Sequence, residues 1–236
     1  MSAVAYSGGN RLLDALPAVD VSTLEADLTI VNLKAHQSTQ SLGAAIRHVD
    51  FPIDAVLSVV ATLKSGVSIE VGTVGSESFV ESDAALNSSL ASRTAFCQVE
   101  GRVGRMTIDR FEHRMDTSAG FARSMRQNLR ATLFSAQQFT ACNLKHPPRQ
   151  RCARFLAMTA DRVGRPEFAL SHEFLAIMLG LRPPAVAEAA HELERSGAIA
   201  YRGNVVTIVD RDALEGAACE CYRACRDSFT ASLVRA

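Results

Sequence analysis

The amino-acid sequence predicts an α+β chain: a β-rich front half, one long helix, and a back third of short helices closed by a β-hairpin. Three observations carry that reading. Short stretches rich in β-branched residues recur between Leu28 and Ile108, with turn signals between them. Small and apolar residues then fall at alternating spacings of 3 and 4 from Ala122 to Asn143. Behind them, glycine and proline punctuate short helical segments, and a tight-turn hairpin follows.

Composition sets the limits. Of 236 residues, 47% are hydrophobic and 21% charged, enough for a packed core and unlike a disordered chain. No apolar run approaches the ~18 residues of a membrane span. Met1–Asn10 has neither a basic residue nor an apolar core, so no export signal is read and a cytoplasmic protein with no membrane partner is expected. Six cysteines are then expected as thiols. The net charge is zero, but it is unevenly spread. Residues 1–100 hold 5 Lys/Arg against 11 Asp/Glu, and residues 101–236 hold 20 against 14. An acidic front half and a basic back half suit a regulatory domain followed by a module that meets phosphates.

The front half opens with helical spacing over Leu12–Leu16 and Val19–Leu28. Strands are expected at Leu28–Leu33, Ile46–Phe51, Ala55–Leu63, Val67–Val74, Ala95–Val99 and Val103–Ile108. Lys64-Ser65-Gly66 reads as a hairpin turn, and the whole as an antiparallel sandwich or roll. Asp116, Thr117 and Ser118 are N-cap residues for the long helix. Its seam of Ala122, Met125, Leu129, Thr132, Ala136, Phe139 and Asn143 reads as a coiled-coil contact with a twin, or as a core face shared with the front domain. His146-Pro147-Pro148 ends it and marks the hinge.

Three helical segments follow: Arg149–Val163, a second capped by Ser171 and ended by Gly180, and a third from Arg182-Pro183-Pro184 to Ser196-Gly197. Two short helices joined through Gly180-Leu181-Arg182 form a helix-turn-helix. Ala198–Tyr201, Arg202-Gly203-Asn204 and Val205–Val209 supply a β-hairpin wing.

Here a resemblance becomes specific. Ser171-His172-Glu173-Phe174-Leu175-Ala176, Met178-Leu179-Gly180-Leu181-Arg182, Val186, Leu193-Glu194 and Ser196-Gly197-Ala198-Ile199 resemble the DNA-binding domain of Crp/Fnr (cyclic AMP receptor protein/fumarate–nitrate) regulators. Arg149-Gln150-Arg151-Cys152-Ala153-Arg154-Phe155-Leu156 is similar to the helix that opens that domain. Asp210–Glu215 with Cys219–Tyr222 resembles the tail of one subgroup. His48–Pro52, Ala55–Ser58 and Val71–Gly75 are similar to the sensor β-roll. The resemblance implies a cyclic-nucleotide-binding-like β-roll over 1–115, a dimerisation helix over 116–145 and a winged helix-turn-helix with a C-terminal helix over 146–236. It further implies a homodimer through the long helix that binds a two-fold symmetric site on double-stranded DNA, with RNA polymerase as a further candidate partner.

Carried over, the DNA-binding positions are Ser171, Arg182, Pro184, Ala185, Glu188, Arg195, Arg202 and Asn204. Arg182 and Glu188 suit base edges, whereas Arg195, Arg202 and Asn204 suit phosphates. Two prolines at the start of the recognition helix leave few direct readers, so DNA shape is expected to contribute. A protein-interaction or cyclic-nucleotide-sensing module without sequence-specific DNA binding is the alternative.

For the effector, Arg93-Thr94-Ala95 matches the family's phosphate-binding segment. Gly75-Ser76-Glu77 lacks the adjacent Gly-Glu pair that holds ribose, and Ala136-Gln137 stands where purine-contacting hydroxyls are expected. Glu77, Arg93, Thr94, Ala136 and Gln137 are therefore candidates for binding a small-molecule effector, with a cyclic nucleotide disfavoured and a ligand-free or degenerate sensor as the alternative. Cys219-x-Cys221-x3-Cys225 is a tight cluster that reads either as a metal or redox site or, in preference, as buried small hydrophobes. No metal or other cofactor is assigned. His113, His146, His172 and His191 form no catalytic arrangement, and no enzyme is expected.

Overall fold

The computed structural model describes residues 6–233. They form two compact units. The first takes the described residues up to Val59, then Thr73–Leu133 and the end from Ser228. The second takes Val60–Gly72 and Phe134–Asp227.

The first unit begins with α1 (Arg11–Asp14) and α2 (Ala18–Leu24). The strands β1 (Leu28–Leu33), β2 (Ser38–Gln40), β3 (His48–Pro52), β4 (Val56–Thr62), β5 (Ser68–Val74), β6 (Thr94–Val99) and β7 (Gly101–Thr107) follow along the chain, the β4–β5 arm from Val60 to Gly72 counting with the second unit. They make two antiparallel layers, in the orders β1-β7-β3 and β2-β6-β4-β5. β1 pairs with β7 from Leu28↔Met106 to Leu33↔Gly101. Gly101 has no room for a side chain, since a Cβ there would stand 2.6 Å from the Ala55 nitrogen. The turn between β4 and β5 is closed by Leu63 N–H donating to the Val67 carbonyl at 2.8 Å. Six of the seven strands fall on the predicted stretches. β2 was not foreseen, because Ser38–Gln40 has no apolar face and exists by pairing with β6.

Helix α3 (Ile108–Thr117) runs directly on from β7, and α4 (Ala119–Lys145) is the long helix. Ser118 separates them in an extended conformation. Its hydroxyl accepts from Phe121 N–H at 3.0 Å and donates to Asp20 at 2.5 Å, so of the three predicted caps it is Ser118 that starts the long helix. Phe51, Phe79, Phe111 and Phe121 form the centre of the first core, with successive ring centroids 5.8, 5.9 and 5.6 Å apart. Ala122 and Met125 are buried, and Met125 and Leu129 belong to this core. The first half of the apolar seam therefore packs inside the protomer. Farther along α4, the large apolar side chains that face solvent are Leu133 (60% exposed), Phe134 (37%) and Leu144 (78%), which lie off the predicted seam.

In the second unit, α5 (Pro148–Val163) starts at the Pro147-Pro148 turn. It is followed by β8 (Glu167–Ala169), α6 (His172–Leu179), α7 (Pro183–Arg195), β9 (Ile199–Arg202), β10 (Val205–Ile208), α8 (Arg211–Ala217) and α9 (Cys221–Ser232). β8, β10 and β9 form a three-stranded antiparallel sheet in that order. β8 was missed because it is only three residues long with a single buried side chain, Phe168; it is recruited by β10 through Phe168↔Val206. Helix α5 is buried along most of its length and packs against α6, α7 and α8.

Candidate nucleic-acid interface

The helix-turn-helix is fixed by its punctuation. Ser171 Oγ accepts from Phe174 N–H at 3.1 Å and starts α6. Gly180 ends it at φ 58°, a conformation that costs a residue with a Cβ about 1 kcal/mol. Leu181 N–H then donates to the Ala176 carbonyl at 3.0 Å, closing the turn. Arg182 is extended at the N-cap of α7, and Pro183 occupies the first helical position, where a missing N–H costs nothing. Val186, Ala189, Ala190 and Leu193 turn inward and seat α7 on α5 and α6.

The opposite face of α7 is open. Arg182, Pro184, Ala187, Glu188, His191 and Arg195 are exposed, and Ala185 is half-buried. Ala185 and Glu188 line a shallow groove with Pro147, Pro148 and Arg149 at the start of α5. Arg202, Gly203 and Asn204 are exposed at the wing tip between β9 and β10. Tyr201 anchors the wing: its ring meets His172 edge-on at 4.4 Å, and its N–H donates to Glu194 at 3.0 Å. Burial pushes the Tyr201 hydroxyl above its ordinary range, so it stays neutral. Ala187 was not singled out from sequence and His191 was weighed only as a catalytic residue and set aside, although their i, i+4 spacing ahead of Arg195 marks the same face. Ser171 is half-buried, and its oxygen serves as the cap.

The basic excess of the back half proves partly internal. Arg151 and Arg154 on α5 are 7% and 5% exposed. Arg151 donates to the carbonyls of Leu179 and Asn143, capping the last residue of α6 from beneath. The Arg154 guanidinium lies 4.2 Å from the Phe139 ring centroid and reaches the Met158 sulfur at 3.7 Å. These cations brace the domain and are withdrawn from any surface. Arg211 holds α8 against α5, donating to Asp161 at 2.6 Å, to Glu215 at 2.9 Å and to the Ala157 carbonyl at 3.2 Å.

The effector candidates do not form one described group. Glu77 is buried behind β5, and its carbonyl accepts from Asn128 at 2.8 Å. Arg93 is exposed, its guanidinium donating to the Ser92 carbonyl at 2.6 Å, and Thr94 Oγ1 accepts from Leu42 N–H at 3.2 Å. Ala136 is half-buried and Gln137 exposed on α4, within the other unit. The front unit also buries Glu81, whose carboxyl is pushed up to about 8 by burial first and then by Asp50 and Asp83. Asp50 beside it is held by Arg105 at 2.7 and 2.8 Å.

A second cluster was not anticipated in this form. Cys142 and His146, one turn apart near the end of α4, meet Cys219 and Cys221 at the start of α9. Their four ligand atoms all lie within 4.8 Å of one another. Cys142 Sγ is 3.5 Å from Cys219 Sγ, and Cys221 Sγ is 3.6 Å from His146 Nδ1. The Cys142 thiol is held down to about 5, chiefly by the hydrogen bond from Cys219 and also by the nearby Arg154 charge; the same shared proton pushes Cys219 upward. Cys225 is buried but outside the group, so the predicted trio is split.

Comparisons with known proteins fit this geometry. The Crp-like helix-turn-helix domain family matches residues 150–217. FixK2 from Bradyrhizobium japonicum is similar in structure, with a TM-score of 0.67 at 15% identity over 81% of this chain and 98% of its own. A CRP-family transcriptional regulator from Thermus thermophilus gives 0.66 at 24% identity, covering 81% and 99%. The c-di-GMP-responsive regulator CLP of Xanthomonas campestris gives 0.64 at 14%, covering 82% and 100%. No curated protein matches the sequence. No helix among the described residues is long and apolar enough to cross a membrane. Residues 150–217 are a Crp-like helix-turn-helix domain, and the chain carries the fold of the Crp/Fnr regulators.

Proposed function

We propose that the protein is a transcription regulator that binds a two-fold symmetric DNA site as a homodimer, under the control of an effector. The observation that carries this reading is the open outer face of α7, with Arg182 exposed at its leading end and the Arg202-Gly203-Asn204 wing tip exposed on the same small domain. A recognition helix enters the major groove with its N-terminal residues against base edges. Arg182 is then the guanine reader, Glu188 a cytosine acceptor, and Arg195, Arg202 and Asn204 the phosphate contacts. Pro184 and Ala185 offer only apolar contact, so half-site preference rests on few side chains and on DNA shape.

Dimerisation through α4 is part of the proposal. Because Ala122 and Met125 are committed to the protomer's own core, the face offered to a twin is the exposed one carrying Leu133, Gln137, Thr140 and Leu144, again at spacings of 4, 3 and 4. The effector is a small molecule bound in the front unit. The missing Gly-Glu pair and the exposed Arg93 do not suit a cyclic nucleotide.

Selection of bound duplexes from a random pool, with purified protein at fixed salt, tests the reading. A palindromic site with half-sites about one helical turn apart is expected. Recovery of no sequence, with cell extract added to supply an effector, would move the reading to a protein-interaction module.

A further inference from the structure

We infer that Cys142, His146, Cys219 and Cys221 form a closed tetrahedral site for a single zinc ion, tying the last turn of α4 to the start of α9. The site stands on observations independent of DNA binding. Zinc–thiolate bonds of about 2.3 Å and zinc–imidazole bonds of about 2.0 Å place neighbouring ligand atoms roughly 3.5–3.8 Å apart in a tetrahedron. The observed separations of 3.5 Å between Cys142 and Cys219 and 3.6 Å between Cys221 and His146 fit that size. Four atoms within 4.8 Å of one another enclose one ion, whereas an iron–sulfur cluster with several irons needs its thiolates farther apart.

The surroundings also select a metal. His146 offers Nδ1 to the group, while its Nε2 lies 3.2 Å from Glu220. A carboxylate behind a metal-binding imidazole fixes its tautomer and ring orientation. Gln138 donates an N–H to Cys221 Sγ at 3.1 Å, the kind of bond that steadies a thiolate. Charge balances as well. Zinc with three thiolates and a neutral imidazole carries a net charge of about −1. Arg154, on α5 of the same unit, is a buried cation with no carboxylate partner among the described residues, and an anionic complex in that unit offsets a charge that is otherwise costly to bury. Binding releases the thiol protons to solvent, and no oxidant or reductant is involved. All four positions are protein side chains, so the ion is structural and has no open position for a substrate.

The test uses the full chain, purified without chelator. Metal analysis should find one zinc per chain, and cobalt(II) in its place should give thiolate-to-cobalt charge transfer and tetrahedral visible bands. Cys219→Ser and Cys142→Ser should abolish these bands, Glu220→Gln should weaken zinc about 10–100-fold against a competing chelator, and Cys225→Ser should change neither. Should the ligand variants fail to fold, thiol labelling of the native chain decides. Zinc should protect three cysteines that a chelator then exposes. Less than a tenth of an equivalent of zinc after incubation with the ion would overturn the site. So would equal zinc in Cys219→Ser, or a Cys142–Cys219 disulfide in protein prepared without air.

Discussion

Arg114 in the front unit and Arg151 and Arg154 in the back unit are buried against different partners. In the front unit the buried Arg114 pairs with Asp27 at 2.5 Å, and the half-buried Arg105 with Asp50 at 2.7 Å. In the back unit, Arg151 and Arg154 meet carbonyls, an aromatic face and sulfur. Formal charge per half is therefore a poor guide to the charge a surface presents. The acidic front half spends part of its deficit on internal pairs, and the basic back half hides part of its excess inside α5. Arg195 and Arg202 stay exposed, as the proposed phosphate contacts require.

The sharpest way to break this contrast is at Asp50. Arg105→Ala leaves the carboxylate buried without its partner and should cost about 3–5 kcal/mol in denaturant unfolding. Replacing Arg154 by Met should cost far less in metal-free protein, since no carboxylate is orphaned. On the exposed side, Arg182→Ala should leave stability within about 0.5 kcal/mol of the parent. It should instead relax half-site discrimination by about 1–3 kcal/mol, read by competition between selected and mutated duplexes.

Glu81 sharpens the comparison in the front unit. Its folded carboxyl titrates near 8 and its unfolded one near 4.5. Between those values the native state holds a proton that the unfolded chain has lost, so stability falls as pH rises through that window. His48 and Arg105 adjoin the same Asp50 and do not reverse the sign. Glu81→Gln should raise stability by up to roughly 5 kcal/mol above pH 8, have no effect below pH 4, and flatten the curve between. A smaller loss is expected at Ser171→Ala, about 1 kcal/mol from removal of the α6 cap.

Legibility followed locality. β1 was readable to the residue because Leu28–Leu33 is a short apolar stretch rich in β-branched residues. Gly180 and Pro183 mark the turn and the start of α7 by backbone chemistry that no distant contact can override. The α4 seam was visible as a period, but a period shows only that a face is apolar, not what covers it. Phe51, Phe111 and Phe121 cover its first half. The Cys142–His146 pair went unread because its partner Cys219 is 77 residues away and only folding joins them. Cys225, close in sequence, drew attention to the wrong trio. The effector candidates were carried by resemblance rather than by chemistry visible along the chain.

The most direct test of the account is the salt dependence of duplex binding, compared between the parent, Arg202→Ala and Arg151→Met. Phosphate contacts release counterions, and each one lost reduces the slope of log K against log salt by about 1. The account predicts a steep slope for the parent, a decrease of about 1 for Arg202→Ala, and an unchanged slope for Arg151→Met in whatever fraction remains folded. A slope near zero, or one that falls with Arg151 and not with Arg202, would contradict it.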